Sequence, residues 1–215
     1  MSDYRQSSHG TPLGYLDGAE HAHHVSLWPS IAALMPCLKH MRILDAGCGN
    51  GFFSRKLAAL GHEVTAIDIS ESGVAKLRDS HPNIRGAVRS VYDGVEDLTP
   101  NGGFDLVLSS EVIEHLYSPQ DFLLNTARAL RLGGWIILTT PYHGYLKNLA
   151  ISLINGWDFH HGVQLDGGHI KFFSQQTLST MLLNARFSDV TFRNAGRIRL
   201  LWKSIVVRAR LDATL

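Results

Sequence analysis

The stretch RILDAGCGNGFF, residues 42–53, decides the fold of this 215-residue chain. Its first part, Arg42 to Asp45, is a short apolar segment typical of a buried strand, and it runs directly into a loop with three glycines. Phe52 to Leu60 then has apolar residues at helical spacing, and Gly61 stands where helices commonly end. A strand, a glycine loop and a helix in this order predict a nucleotide-binding α/β unit.

The glycines and a second acid give this unit its chemistry. Gly47, Gly49 and Gly51 allow a sharp turn and leave room for a ligand against the main chain. Asp68 ends the next apolar segment, Glu63 to Ile67, and a carboxylate at that point can accept both hydroxyl hydrogens of a ribose. The combination favours a nucleoside site, although the glycines alone are also compatible with a tight turn.

The loop differs from the nicotinamide fingerprint G-x-G-x-x-G/A. Counted from Gly47, its third position is Phe52, which is too large for the close contact between helix and strand that glycine or alanine permits. The negative charge of Asp45 is unfavourable beside a pyrophosphate but favourable beside a cation or the ammonium of an amino acid. A nicotinamide-dependent oxidoreductase therefore stays only as the alternative.

Further strand and helix patterns alternate along the chain, which predicts a mostly parallel sheet covered by helices on both faces. We predict residues 1–39 as an N-terminal arm and a helical segment broken by Pro29 and Pro36, and residues 40–215 as one domain with a lid-like insertion at 141–173. The predicted strands are 42–45, 63–67, 84–91, 104–109, 135–140, 189–193 and 204–210. The predicted helices are 52–60, 71–80, 118–132 (capped by Ser118 and ended by Gly133-Gly134), 145–157 and 174–185.

Four segments in order resemble the class I S-adenosylmethionine-dependent methyltransferases. They are ILDAGCGNG (43–51), VTAIDIS (64–70), FDLVLSSEVIEHL (104–116) and LRLGGWIILTTPY (130–142). The third segment is similar to the branch that contains the ubiquinone-biosynthesis O-methyltransferases. The resemblance covers roughly residues 40 to 210 and implies a Rossmann-like, doubly wound α/β fold, with a seven-stranded, mostly parallel sheet whose last strand is antiparallel.

The resemblance also implies S-adenosylmethionine as the cofactor and assigns residues to its parts. The amino acid part would be held by Asp45, Ala46, Gly47, Gly49 and Gly51. Asp68 would accept the ribose hydroxyls, Ile69 would contact the adenine, and Ser110 and Glu111 would line the pocket. The contact to the adenine amine stays open, because residues 89–93 match the family pattern only loosely.

Two histidines are candidates for catalysis. Methyl transfer requires alignment of nucleophile, methyl group and sulfur, and a base only where the nucleophile must lose a proton. His115 follows the fourth predicted strand and is either a base for a hydroxyl acceptor or a brace hydrogen-bonded to the backbone. His169, at the end of the insertion, is either a substrate contact or base, or a loop residue packed on the next helix.

Two other histidine groups raise the question of a metal. His21, His23 and His24 lie near Glu20, and His160 and His161 lie near Asp166, but neither group has a ligand spacing fixed by a helix or turn. Solvated polar segments explain both groups, and we predict no metal site.

Composition limits the partners and the compartment. The formal net charge of +1 gives no global electrostatic case for nucleic acid or an anionic membrane. Cys37 and Cys48 do not make a disulfide framework, the N-terminus lacks the apolar core of a signal peptide, and no apolar run approaches the ~20 residues that span a bilayer. We therefore predict a cytoplasmic methyltransferase that acts on a small molecule at oxygen, where the choice of oxygen rests on the EVIEHL similarity alone. A non-catalytic S-adenosylmethionine-binding protein is the second alternative.

Overall fold

The computed structural model describes residues 19–157, 168–196 and 202–213. Within them, one sheet has the strand order β3-β2-β1-β4-β5-β7-β6. The strands are β1 (Arg42–Ala46), β2 (Glu63–Asp68), β3 (Arg85–Val88), β4 (Phe104–Ser110), β5 (Leu130–Pro141), β6 (Phe187–Ala195) and β7 (Ser204–Leu211). Strand β7 runs antiparallel to both of its neighbours, whereas the pairs among β1 to β5 are parallel. The predicted seven-stranded sheet with an antiparallel last strand is confirmed.

Helices cover both faces of this sheet. They are α1 (Ala19–Leu34), α2 (Phe52–Ala59), α3 (Glu71–Ser80), α4 (Pro119–Ala129), α5 (Tyr145–Leu153) and α6 (Gln175–Asn184), and a 3₁₀ turn spans Ile113–His115. Apolar residues of α1, α2 and α3 pack on one face, and those of α4 and α6 pack on the other. With both faces covered, the carboxyl ends of the parallel strands are the edge at which a ligand site forms.

Several predicted boundaries are wrong. Strand β3 ends at Val88 rather than at residue 91, and α5 ends at Leu153 rather than at residue 157. Helix α1 continues through Pro29, because Leu27, Ile31 and Leu34 are buried against the sheet and their burial offsets the backbone hydrogen bond that proline cannot make. Helix α4 ends at Ala129 rather than at Gly133-Gly134, because Leu130 already pairs with Phe104 and begins β5. Ser118 occupies the N-cap position of α4, but its side chain makes no capping bond.

Two caps fix the helices next to the strand ends. Ser70 caps α3 as predicted, since its Oγ accepts a hydrogen bond from Gly73 N at 3.1 Å. Ser174 and Thr177 form a reciprocal capping box at the start of α6. Among the described residues, no helix is long and apolar enough to cross a membrane.

Candidate functional site

The glycine loop after β1 is tied to the end of β2. The N–H groups of Gly47 and Cys48 both donate to Ile67 O, at 2.8 and 2.9 Å. Gly47, Gly49 and Gly51 have φ angles of 83°, 55° and 80°, in the left-handed region that side chains with a Cβ rarely adopt. The local sequence therefore folds into a loop that brings backbone close to the strand ends.

Asp68 joins the loop to the second strand end. Its Oδ2 accepts a hydrogen bond from Gly49 N and its Oδ1 accepts one from Ser70 N, both at 2.8 Å. The side chain is buried, yet each carboxylate oxygen has further acceptor capacity. The next residue, Ile69, is 63% exposed and presents an apolar surface beside the carboxylate. The chemistry of this pair suits a ribose and a flat base.

Asp45 lies beneath the loop, almost out of reach of solvent. Its side chain is 1% exposed, and its Oδ2 accepts a hydrogen bond from Ser54 Oγ at 2.5 Å. Burial raises the pKa of the Asp45 carboxyl to about 7, and the charge of Asp68 adds to this effect, while the Ser54 hydrogen bond opposes it. A buried carboxylate of this kind becomes favourable when a cation binds next to it.

We expect Asp45→Asn to raise the melting temperature at pH 8 and to leave it almost unchanged at pH 5. An acid whose folded pKa is raised binds its proton more tightly in the folded state, so stability falls as pH rises from the unfolded pKa through about 7. The amide removes the cost of the buried charge, and for a chain of this size each kcal/mol moves the melting temperature by about 2–4 °C. Thermal melts at the two pH values are the measurement, and an equal shift at both would contradict it.

Glu111 is the centre of a polar cluster at the end of β4. Its Oε1 accepts a hydrogen bond from Thr139 Oγ1 at 2.8 Å, and its Oε2 lies 3.1 Å from His23 Nε2. Ser110 Oγ lies 2.9 Å from the same Thr139 hydroxyl. The structure thus brings α1 to the strand ends through His23, which the sequence analysis considered only as part of an N-terminal histidine group.

Glu114 and His115, in the 3₁₀ turn after β4, form a second cluster with His169. Glu114 is 0% exposed, and neither of its carboxylate oxygens has a hydrogen-bond partner among the described residues. His169 Nε2 lies 4.0 Å from Glu114 Oε1, and the rings of His115 and His169 meet edge to face with centroids 4.9 Å apart. Burial, and secondarily the charge of Glu111, hold the pKa of Glu114 well above its usual range. The structure therefore brings both catalytic candidates together.

Backbone contacts hold residues 168–171 on this turn. The N–H groups of Ile170 and Lys171 donate to Glu114 O, both at 3.0 Å, and His115 Nδ1 lies 3.2 Å from Gly168 O. This last contact is the bracing geometry considered for His115. Sequence reasoning missed Glu114, although its place directly before His115 was an available signal.

The three side chains of this cluster could also hold a cation. One ligand atom from each of Glu114, His115 and His169 lies within 4.8 Å of the others, and one carboxylate with two imidazoles is a donor set that divalent metals accept. The histidine groups considered in the sequence do not form such a set among the described residues: His24 packs on Phe52 and Phe53, and its ring centroid lies 6.3 Å from that of His23. His160, His161 and Asp166, and the side chains of Glu20 and His21, lie outside the described residues.

Comparison of the sequence with known protein families places most of the chain in a methyltransferase family. The family described as "Methyltransferase domain" matches residues 20–191. A ubiquinone biosynthesis O-methyltransferase from a Caulobacter species is 38% identical over 117 residues, which are 53% of this chain and 46% of the relative. A probable S-adenosylmethionine-dependent methyltransferase from Mycobacterium tuberculosis is 28% identical over 148 residues, 69% of this chain and 49% of the relative. The chain thus spans about half the length of these relatives.

Solved structures share the fold at low sequence identity. A S-adenosylmethionine-dependent methyltransferase from Mesorhizobium loti superposes with a TM-score of 0.66 at 20% identity, covering 86% of this chain and 97% of that chain. The magnesium protoporphyrin IX methyltransferase from Synechocystis, determined with bound S-adenosylhomocysteine, has a TM-score of 0.64 at 18% identity, with 90% and 83% coverage. These likenesses support the Rossmann-like architecture.

Proposed function

The chain belongs to the methyltransferase-domain family, and from that premise we propose that it transfers the methyl group of S-adenosylmethionine to an oxygen of a small molecule. The observation that carries the proposal is Asp68, whose carboxylate joins the glycine loop to the end of β2 and keeps acceptor capacity for a ribose. The two cysteines of the chain are free, which supports a cytoplasmic enzyme. The formal net charge of +1 supports an acceptor other than nucleic acid.

The proposed cofactor site follows the strand ends. Asp68 accepts the ribose hydroxyls, and the exposed side chain of Ile69 packs against the adenine. Asp45 and the loop of Ala46, Gly47, Gly49 and Gly51 hold the amino acid part, where the buried Asp45 carboxylate favours an ammonium. Ser110 and Glu111 close the pocket from β4. When bound, S-adenosylmethionine would supply a methyl group on a positively charged sulfur.

The proposed acceptor site lies at the Glu114, His115 and His169 cluster. The acceptor's hydroxyl oxygen would take the methyl group that S-adenosylmethionine supplies, and a histidine nitrogen of this cluster would accept the hydroxyl proton. His169 is the better base of the two, because its side chain is partly exposed while His115 Nδ1 is engaged with Gly168 O. A cation at His169 would lie beside Glu114, with 4.0 Å between Nε2 and Oε1.

Calorimetric titration with S-adenosylmethionine, S-adenosylhomocysteine and NAD tests the cofactor. Micromolar binding of the first two without binding of NAD supports the proposal, and binding of NAD alone would revive the oxidoreductase alternative. A screen of catechols and other hydroxyl acceptors, read by mass spectrometry, then tests turnover. Cofactor binding without methylation of any acceptor would favour the non-catalytic alternative.

We expect His169→Gln to lower kcat for a hydroxyl acceptor by about 10²–10⁴-fold, the range typical of general-base catalysis. The Kd of S-adenosylhomocysteine should stay the same, since the residue lies on the acceptor side. His62→Gln is the control, because this histidine directly precedes β2 and so lies at the amino ends of the parallel strands, away from the proposed site. Full activity of His169→Gln, or an EDTA-sensitive rate restored by a divalent metal, would show that His169 is not a simple base.

A further inference from the structure

Ser54, in the first turn of α2, makes a different hydrogen bond from three other helical serines. Ser80, Ser152 and Ser179 each donate from Oγ to the carbonyl four residues earlier in the same helix, which is the usual behaviour of a helical serine. Ser54 Oγ instead donates out of its helix to Asp45 Oδ2, at 2.5 Å. Its side chain has no exposed surface, so this bond between α2 and β1 is part of the core beneath the glycine loop.

The Asp45 carboxylate has few other groups to stabilise its charge. Its register partners on β2 and β4 are apolar, and it forms no ion pair among the described residues. The titratable groups that face it are the Asp68 carboxylate and the Cys48 thiol, and neither carries a positive charge. The hydroxyl and the backbone N–H of Ser54 both lower the pKa of Asp45, against the larger effect of burial.

The start of α2 favours a negative charge at this point. Gly51 occupies the N-cap position and supplies no side-chain acceptor, and the first turn contains no acid. Because the amino end of a helix carries partial positive charge and unpaired N–H groups, the Asp45 carboxylate compensates for both from the neighbouring strand. Ser54 is the residue through which this helix and the carboxylate are joined.

Ser54 therefore acts on an acid that is divided between its two protonation states. With its pKa at about 7, Asp45 is partly protonated at neutral pH, so a change in its hydrogen-bond partner alters the ionised fraction directly. A protonated Asp45 has no charge to offer an ammonium group, and the ionised fraction therefore determines how strongly such a group binds.

We propose that Ser54 is a positioning residue for cofactor binding, whose hydroxyl holds Asp45 as the ionised carboxylate that receives the ammonium of S-adenosylmethionine. Ser54 acts only through Asp45 and does not itself contact the cofactor. This inference rests on the proposed function, because it takes Asp45 to face the amino acid part of the cofactor.

Calorimetric titration with S-adenosylhomocysteine at pH 6 and pH 8 tests this role. Binding to the wild-type protein should be about 10-fold weaker at pH 6, since most of the Asp45 carboxyl is then protonated. Ser54→Ala should weaken binding a further ~10-fold at pH 6 but only about 2-fold at pH 8, because loss of the hydrogen bond favours the protonated acid by about 10-fold. An equal loss at both pH values, or no loss, would overturn the proposal.

Two controls separate this effect from general changes in the site. 5′-Methylthioadenosine lacks the amino acid part, so its Kd should be the same at both pH values and in Ser54→Ala. Ser109→Ala removes another buried hydroxyl, which donates to Ala46 O at 2.7 Å, and should leave the pH dependence of S-adenosylhomocysteine binding unchanged. A pH-dependent loss in either control would show that the effect does not pass through Asp45.

Two further variants extend the test. Ser54→Cys keeps nearly the original size with a weaker donor, so it should also bind less tightly than the wild type at pH 6, and it replaces Ser54→Ala if that variant fails to fold. In the Asp45→Asn background no carboxylate titrates, so Ser54→Ala should no longer alter the ratio of the Kd values at pH 6 and pH 8. A pH-dependent loss that persists in this background would contradict the proposal.

Direct titration of Asp45 separates this inference from the proposed function. The protein is labelled with ¹³C at aspartate Cγ, and the Asp45 signal, assigned by its absence in Asp45→Asn, should titrate at a higher pH in free Ser54→Ala than in the free wild type. A higher midpoint without binding of S-adenosylhomocysteine at any pH would reject the proposed cofactor site and with it the role of Ser54. Binding with the same ratio of Kd values in both proteins would reject the role of Ser54 alone.

Discussion

Gly47→Ala is expected to destabilise the protein by about 2–5 kcal/mol and to weaken S-adenosylhomocysteine binding by more than 10-fold. The residue has a φ of 83°, which costs energy for any side chain with a Cβ, and an added Cβ would overlap Val112 Cγ2. Val112 precedes the 3₁₀ turn that carries Glu114 and His115, so relief of the overlap would displace that turn. Thermal melting and calorimetric titration are the measurements.

Gly102→Ala is the matched control for the backbone strain. Gly102 has nearly the same φ, 84°, but an added Cβ would meet nothing within 4 Å. We expect the free energy of unfolding to fall by about 1–2 kcal/mol because of the left-handed backbone alone, and cofactor affinity to stay the same. The double variant Gly47→Ala/Val112→Ala should recover part of the stability. Equal effects of Gly47→Ala and Gly102→Ala would mean that the contact with Val112 is unimportant.

Asp68→Ala is expected to raise the Kd of S-adenosylhomocysteine by at least about 100-fold, since hydrogen bonds to a charged acceptor contribute about 1.5–3 kcal/mol each. The variant removes the proposed ribose acceptor. It also removes the carboxylate oxygens that accept hydrogen bonds from Gly49 N and Ser70 N. A lower melting temperature should therefore accompany the loss of affinity. Unchanged affinity in a folded Asp68→Ala variant would reject the ribose assignment.

Asp105→Ala separates these two effects. Asp105 likewise accepts a hydrogen bond from a backbone N–H, that of Arg42 at 2.8 Å, but it lies near the amino end of β4, away from the site. Its removal should lower the melting temperature and leave cofactor affinity unchanged. If Asp105→Ala also weakened cofactor binding, the loss in Asp68→Ala would reflect general destabilisation.

The glycine loop and its acid were predictable because their interactions are local in sequence. Asp68 reaches Gly49 across 19 residues, within one strand, loop, helix and strand unit whose order the apolar pattern already indicates. Helix ends were less predictable where packing competes with local preference. Pro29 stays helical and Leu130 leaves α4 for β5, because burial and strand pairing outweigh the signals of proline and glycine.

The sequence by itself determined the alternation of strands and helices, the glycine loop and the acid that follows it, since hydrophobic period and glycine position act over short stretches. Only the tertiary structure decided which side chains meet around the strand ends. His23 reaches Glu111 across 88 residues, and Glu114 meets His169 because Ile170 and Lys171 are hydrogen-bonded to the 3₁₀ turn. Such contacts depend on how helices and loops pack on the completed sheet, which no local pattern encodes.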